Sequence, residues 1–304
     1  MARLSAPRTE APTRLAVIAD PHVSTRETGT SKLFEHTVDH LEYAVADISE
    51  RSVDAVVCLG DLTKDGEPWN YAAFDEVLAG LEPPFFAIPG NHDVPKAGDE
   101  HASLPLGEFE GRYTPGTLPY TAQVGGLDLV ALNSAGDQNW LHESHAGEVP
   151  PAQIDWVDRT LGGLDNPVVL VHHNLPAMAA QVRAHRDAVA PDMGIPPEMR
   201  NPDPLVDVLA AHDIPLVLTG HLHLPSAAEM GEVLEVMAPT TCSYPHAYLL
   251  LESGPEGTTI RLVPIVDHDG MLRGYHERRT DTLTARELTA MASVRLANFP
   301  LVDR

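Results

Sequence analysis

The sequence is short of cysteine, of positive charge, of aromatic side chains and of long apolar runs, and each shortage removes a class of protein. Its two cysteines, Cys58 and Cys242, are too few and too scattered for a disulfide scaffold and lack zinc-finger spacing. Cys58 lies inside Val56-Val57-Cys58-Leu59 and reads as a small buried side chain; Cys242, in Thr241-Cys242-Ser243, reads as packed or close to a site. No stretch approaches the roughly 20 apolar residues of a membrane span. Met1 to Arg14 has no apolar core of the signal-peptide kind, so a soluble, cytoplasmic protein is expected. Lys and Arg total 20 against 44 Asp and Glu, a formal net charge of −24. Such an excess repels nucleic-acid backbones and anionic membranes and excludes non-specific binding to either. If the ligand is nevertheless a phosphate, positive charge must be supplied locally, and a metal ion is the natural source.

What is present is a globular composition, 304 residues with 43% apolar side chains and 16 histidines, enough for one large domain or two. Residues 1–13 read as a polar, mobile lead-in. Arg14 to Ala19, Asp54 to Leu59 and Phe85 to Pro89 are compact apolar runs of strand length, separated by amphipathic spacing over 33–50 and by a helical stretch from Pro68 to Leu81. Tyr120 to Asn133 reads as a hairpin around Gly125-Gly126, followed by a helix from Pro151 to Leu161 and a buried strand from Pro167 to Val171. The pattern then predicts an insert over 176–200, a helix from Pro204 to His212 and a strand from Pro215 to Thr219. Strand-like runs follow at 232–238, 247–252 and 258–266, with a terminal helix near 284–296 in a C-terminal extension, 267–304. Alternating strands and helices in the first half predict βαβ units, and the later pairs predict antiparallel additions. The expected class is α/β, a two-sheet sandwich with helices outside and no linker dividing it.

Side chains able to bind metal or move protons follow five of these strands directly: Asp20 and His22, Asp61, Asn91 and His92, His172, and His221 and His223. Ligand sites of open α/β sheets lie beyond the carboxyl ends of their strands, so these groups are expected to share one site. One such residue after a strand is ordinary turn chemistry; seven donors at five ends are not. Imidazole and carboxylate without thiolate suit Mn, Fe, Zn or Ni rather than Ca. Seven donors exceed one tetrahedral ion and fit two ions sharing a group, for which Asp61 is best placed because a carboxylate can serve both. Asp20-x-His22 and His221-x-His223, if locally extended, point both donors to one side.

Taken in order, Asp20-x-His22, Gly60-Asp61, Gly90-Asn91-His92-Asp93, the His172 segment and Gly220-His221-Leu222-His223 resemble the motifs of the calcineurin-like metallophosphoesterases, over about two-thirds of the chain. Size, Gly60-Asp61-Leu62-Thr63 and the His172-His173 pair make it most similar to the bacterial class III cyclic-nucleotide phosphodiesterases within that family. The resemblance implies a four-layer αββα sandwich of two mixed sheets, here over residues 14–266. It implies that Asp20, His22 and His223 hold one ion, that Asn91, His172 and His221 hold another, and that Asp61 lies between them. It favours Mn or Fe over Zn, Ni and Co, a small phosphoester or nucleotide as substrate, and a homodimer. Two such ions, roughly 3.5–4 Å apart, activate a bridging water for in-line attack on phosphorus. His92 is then the candidate proton donor to the leaving oxygen and Asp93 the carboxylate that orients it. Pro21 departs from the pattern, standing where a small hydroxyl residue is common.

His173 is expected to support a neighbour or to pack. Asn133 reads as structural and Asp65 as a turn residue before Gly66. His101, His142, His145, His185 and His246 read as surface histidines, and Trp140, Tyr113 and Tyr244 as packing. Three activities are weighed: a dinuclear-metal phosphodiesterase, a phosphomonoesterase acting on a nucleotide or small metabolite, and a metal-free scaffold. The complete donor set argues against the last.

Overall fold

The computed structural model describes residues 2–97, 101–138, 146–196, 198–297 and 302–303. Strands β1 (Ala2–Leu4) and β2 (Thr13–Ile18) precede helix α1 (Thr37–Ser49); β3 (Ala55–Cys58), α2 (Pro68–Leu78) and β4 (Phe85–Ala87) complete two βαβ units. Next come α3 (Leu106–Tyr113), the hairpin β5 (Tyr120–Val124) and β6 (Leu127–Ala131), α4 (Pro151–Leu161) and β7 (Pro167–Leu170). Helices α5 (Pro176–Val189) and α6 (Asp203–Ala211) lead to β8 (Leu216–Thr219), β9 (Ser226–Met230), β10 (Val233–Met237), β11 (Ala247–Gly254) and β12 (Gly257–Pro264). Helices α7 (His268–Arg278) and α8 (Leu283–Ala297) and a short β13 (Val302–Asp303) close the chain. No helix among the described residues is long and apolar enough to cross a membrane.

The strands form two mixed sheets, β13-β1-β12-β11-β2-β3-β4 and β5-β6-β7-β8-β10-β9. Side chains alternate across a strand, and here both faces are apolar. Leu15, Val17, Val57 and Leu59 of the first sheet meet Leu129, Leu170, Leu216 and Leu218 of the second in the core between the sheets. The alternate residues Ala16, Ile18, Val56 and Cys58 face outward onto Leu41, Ile48, Tyr71, Phe74 and Phe109 of α1, α2 and α3. Val130, Val169 and Val217 face Val157, Leu161, Leu205 and Leu209 of α4 and α6. The result is the four-layer αββα sandwich. Each fully buried Leu or Val contributes roughly 1.5–3 kcal/mol, so the sheet interface anchors the fold while the strand ends are left to carry polar chemistry.

Several segments differ from the sequence reading. The lead-in is not wholly loose: Ala2 and Leu4 are buried in the inter-sheet core, and Ala2 pairs with Ile260. Helix α3 forms within the Gly- and Pro-rich region 94–119, whose sequence reads as loop with short pieces, because Phe109 and Tyr113, one turn apart, bury together. Helix α7 has few apolar residues and is set by its cap, Asp267 accepting from the Gly270 N–H at 2.8 Å. The insert and the tail share a fourth core, in which Met178 and Val182 of α5 pack with Leu288 and Met291 of α8 and with Leu222 and Leu224. Arg278 of α7, buried, donates to the carbonyls of His223 and Tyr244 at 2.9 and 2.7 Å.

Candidate metal centre

Strands β2, β3 and β4 of one sheet and β7 and β8 of the other all end on the same side, and the segments after them interlock. Asp20 N–H donates to the Gly60 carbonyl at 3.1 Å and His22 N–H to the Asp61 carbonyl at 2.9 Å. The chain does not run extended there. Asp20, His22, Asp61, His221 and His223 all have left-handed backbone, with φ of 50°, 42°, 53°, 76° and 53°. The donors two residues apart therefore converge through tight turns, and the expectation of strand alternation is corrected. A left-handed L-residue costs roughly 1–2 kcal/mol, so the surrounding fold must hold these turns against their own preference. Two glycines make the closeness possible. A Cβ on Gly60, at φ +96°, would lie 2.5 Å from the Gly90 nitrogen, and one on Gly90 would lie 2.1 Å from Asp61 Oδ1.

All seven predicted donors meet. His22 Nε2 lies 3.0 Å from His223 Nε2 and 3.5 Å from Asp61 Oδ2, and His223 Nε2 lies 3.5 Å from Asp20 Oδ1. On the other side of Asp61, His172 Nε2 lies 3.5 Å from the same Oδ2 and 3.3 Å from Asn91 Oδ1, which is 3.1 Å from His221 Nδ1. Ligand bonds of about 2.1 Å give ligand–ligand edges of roughly 3.0–3.4 Å around one ion, whether octahedral or tetrahedral. The donor spacings, 3.0–3.5 Å, lie within or just above those edges in both sets, and Asp61 Oδ2 is common to the two. The other oxygen of Asp61 accepts from His92 N–H at 2.9 Å, which fixes the carboxylate. An outer partner orients the His172 imidazole, whose Nδ1 sits 2.7 Å from the Leu59 carbonyl, and the backbone N–H of His221 donates to the Asp20 carboxylate at 3.1 Å.

Burial disfavours a charged His172, yet Asp61 outweighs it and pushes the pKa up to about 9. Burial likewise opposes the Asp61 charge, but His172 and His92 hold its pKa well below the usual carboxylate range. For His22, burial and the Lys32 charge together lower the pKa.

His92 stands at the rim with Nδ1 2.8 Å from Asp65 Oδ1 and 2.6 Å from the Lys64 carbonyl. Asp65, read as a turn residue, is thus the carboxylate that orients it. The assignment of that task to Asp93 is corrected. Asp93 is buried and spends its oxygens on the N–H groups of Leu62, Thr63 and Gly90, at 2.9, 3.4 and 2.9 Å, tying the β3 and β4 loops together. Burial and the charge of Asp61 push its pKa up to about 7. Burial and Lys32 lower the pKa of His92, against Asp61 and Asp65. The lysine itself was missed by motif reading, and only its position on the loop between β2 and α1 hints at it.

Of the remaining residues, His173 bonds the Ser134 hydroxyl through Nδ1 at 2.8 Å and lies 4.6 Å, ring to ring, from His221. Asn133 caps a turn at Ala135 and Gly136. His185 pairs with Glu287 at 3.1 Å, Tyr113 with Asp75, and Tyr244 with Ser293. His246 is not on the surface but buried against His40, with 4.3 Å between rings. Cys58 and Cys242 are both buried and free. Trp140, His142 and His145 lie outside the described residues. A cavity of about 400 Å³ opens onto Asp61, His92 and His221, and it is also lined by Ile195 of the insert, Leu288 of the tail and Leu222 between His221 and His223.

The sequence profile of the calcineurin-like phosphoesterase family matches residues 13–225. A Synechococcus protein named a probable cyclic nucleotide phosphodiesterase is 26% identical over 74% of this chain and 81% of its own length. A protein of Haemophilus influenzae named 3′,5′-cyclic adenosine monophosphate phosphodiesterase is 26% identical over 75% of this chain and 76% of its own. Among solved structures, a dimetal phosphatase from Danio rerio superimposes with a TM-score of 0.65 over 84% of this chain and 97% of its own, at 14% identity, a likeness of fold.

Proposed function

From its membership of the calcineurin-like phosphoesterase family, to which this chain belongs, we propose that it hydrolyses phosphodiester bonds, with 3′,5′-cyclic nucleotides as substrate class. The single observation that carries the reading is the sharing of Asp61 Oδ2 by two donor sets at ligand spacing, 3.5 Å from His22 Nε2 and 3.5 Å from His172 Nε2. Asp20, His22, Asp61 and His223 would hold one transition-metal ion, and Asp61, Asn91, His172 and His221 the other. A donor set of nitrogen and oxygen without sulfur suits Mn, Fe, Zn or Ni, and it is the family resemblance that favours Mn or Fe among them. Such a pair supplies an activated water and neutralises phosphate charge that this acidic chain cannot.

The protein's own groups then do the rest. Asp65 holds Nδ1 of His92, so Nε2 is the nitrogen presented to the cavity. A phosphate anion arriving there favours the imidazolium, which hands its proton to the departing oxygen. The apolar side chains of Ile195, Leu222 and Leu288 on the cavity lining offer a surface for a base or other flat group. Names carried by relatives at 26% identity support the diester reading. Two free, buried thiols suit the cytoplasm.

The test is a panel of bis-p-nitrophenyl phosphate, p-nitrophenyl phosphate and 3′,5′-cyclic AMP, run after reconstitution with Mn, Fe, Zn or Mg and paired with elemental analysis. Two ions per chain and diester turnover ahead of monoester turnover are expected. Dominant monoester turnover would replace the diester reading with the phosphomonoesterase one. Gly90→Ala gives a structural check. Its Cβ would sit 2.1 Å from Asp61 Oδ1, so the variant is expected to fold yet bind metal at least about tenfold more weakly, a deficit of about 1.4 kcal/mol or more. Unchanged metal content at limiting metal would remove Asp61 from the centre.

A further inference from the structure

We infer that Lys32 is a substrate-binding residue of this centre, its ammonium holding an oxygen of the substrate phosphoryl group alongside His92. The inference rests on the phosphoesterase reading and adds a residue that no strand-end motif contains. The chain has three lysines, Lys32, Lys64 and Lys96, and all three lie at this site. Two are committed to its framework. Lys64 Nζ pairs with Asp65 Oδ2 at 2.7 Å, and Lys96 Nζ donates to the Asn91 carbonyl at 2.8 Å. Lys32 reaches the inner side instead. Its Nζ lies 3.3 Å from His92 Nε2 and 3.3 Å from His22 Nδ1, and the side chain lines the cavity. A net charge of −24 gives no general attraction for anions, so a cation placed at the mouth of the centre matters more than it would on a basic protein.

The two imidazoles decide what that cation can bind. His22 turns Nε2 toward Asp61 and His223. With an ion on Nε2, the neutral ring carries its proton on Nδ1, and an ammonium, which only donates, has nothing to give it to. His92 has Nδ1–H on Asp65, so in the neutral ring Nε2 accepts from Lys32 at the cavity wall. An anion entering the cavity offers Lys32 a charged acceptor in place of that neutral nitrogen, with His92 beside it. Oxygens of one phosphoryl group satisfy Lys32 and His92 together through charge-assisted bonds. The two framework lysines each rest on a protein oxygen, Lys64 on Asp65 Oδ2 and Lys96 on the Asn91 carbonyl, whereas Lys32 lies against two imidazole nitrogens.

The test compares wild type, Lys32→Met and Lys32→Arg, each loaded with Mn. Three quantities are read: metal content by elemental analysis, inorganic phosphate affinity by calorimetry, and KM and kcat with bis-p-nitrophenyl phosphate. Lys32→Met is expected to keep its metal, to bind phosphate about tenfold more weakly and to raise KM about tenfold, with Lys32→Arg recovering most of both. Wild-type phosphate affinity in Lys32→Met overturns the inference, as does loss of metal from that variant, which would place Lys32 in support of His22 instead. If the wild type turns over none of the esters, the hydrolase reading falls, while the phosphate titration still decides the role of Lys32.

Discussion

Asp61→Asn is expected to lower bound metal from two ions per chain to less than one and to reduce kcat/KM by about 10³-fold or more, about 4 kcal/mol of lost transition-state stabilisation. The substitution changes almost nothing else. Asparagine keeps the shape, and its carbonyl oxygen can still accept from His92 N–H, the bond that now holds Asp61 Oδ1 at 2.9 Å. What it removes is the charge on Oδ2, which lies 3.5 Å from both His22 Nε2 and His172 Nε2, and in its place it turns an amide N–H₂ toward the centre. Both donor sets lose the member they share. The fold is expected to survive, because the core between the sheets, around Leu15, Val57, Leu170 and Leu218, does not include Asp61. Elemental analysis after dialysis, with circular dichroism as the folding control, reads the outcome. Two tightly held ions in the variant would dismantle the shared-carboxylate arrangement.

The strands and the donors that follow them were legible in the sequence because both obey short-range rules. A run such as Leu15 to Ala19 is apolar at every position because each alternate residue has its own core to enter, one between the sheets and one under α1. The polar residue that ends such a run lies just beyond the last residues of the sheet, and five ends on one side make a buried site. What was not legible depends on contacts far apart in the chain. The choice between Asp65 and Asp93 as partner of His92 is an instance. Asp93 is adjacent in sequence, but its side chain turns inward to three backbone N–H groups, whereas Asp65 reaches His92 across 27 residues. The left-handed turns at Asp20 and His22 are likewise imposed by bonds to Gly60 and Asp61, not by local preference. The insert and tail carry no motif, and their place on the cavity wall follows from a small core of methionines and leucines that no periodicity announces.

His92→Ala should separate proton transfer from metal binding. The backbone N–H of residue 92, not its imidazole, holds Asp61, so alanine leaves that bond intact and both ions are expected to remain. The imidazole itself faces the cavity, oriented by Asp65. Its loss should slow cleavage by about 10²–10⁴-fold, the range of a positioned proton donor. Asn91→Ala, one residue earlier, should do the reverse, since Asn91 Oδ1 lies 3.3 Å from His172 Nε2 and 3.1 Å from His221 Nδ1. That variant is expected to lose the second ion and most turnover with it. The leaving group supplies the sharper discrimination. A nitrophenolate departs without needing a proton, whereas the alkoxide released from a cyclic nucleotide needs one. The His92→Ala defect should therefore be large with 3′,5′-cyclic AMP and much smaller with bis-p-nitrophenyl phosphate. Equal defects on the two substrates would make His92 a binder of phosphoryl oxygens and not an acid, and equal loss of metal from the alanine variants at 91 and 92 would reject the division between them.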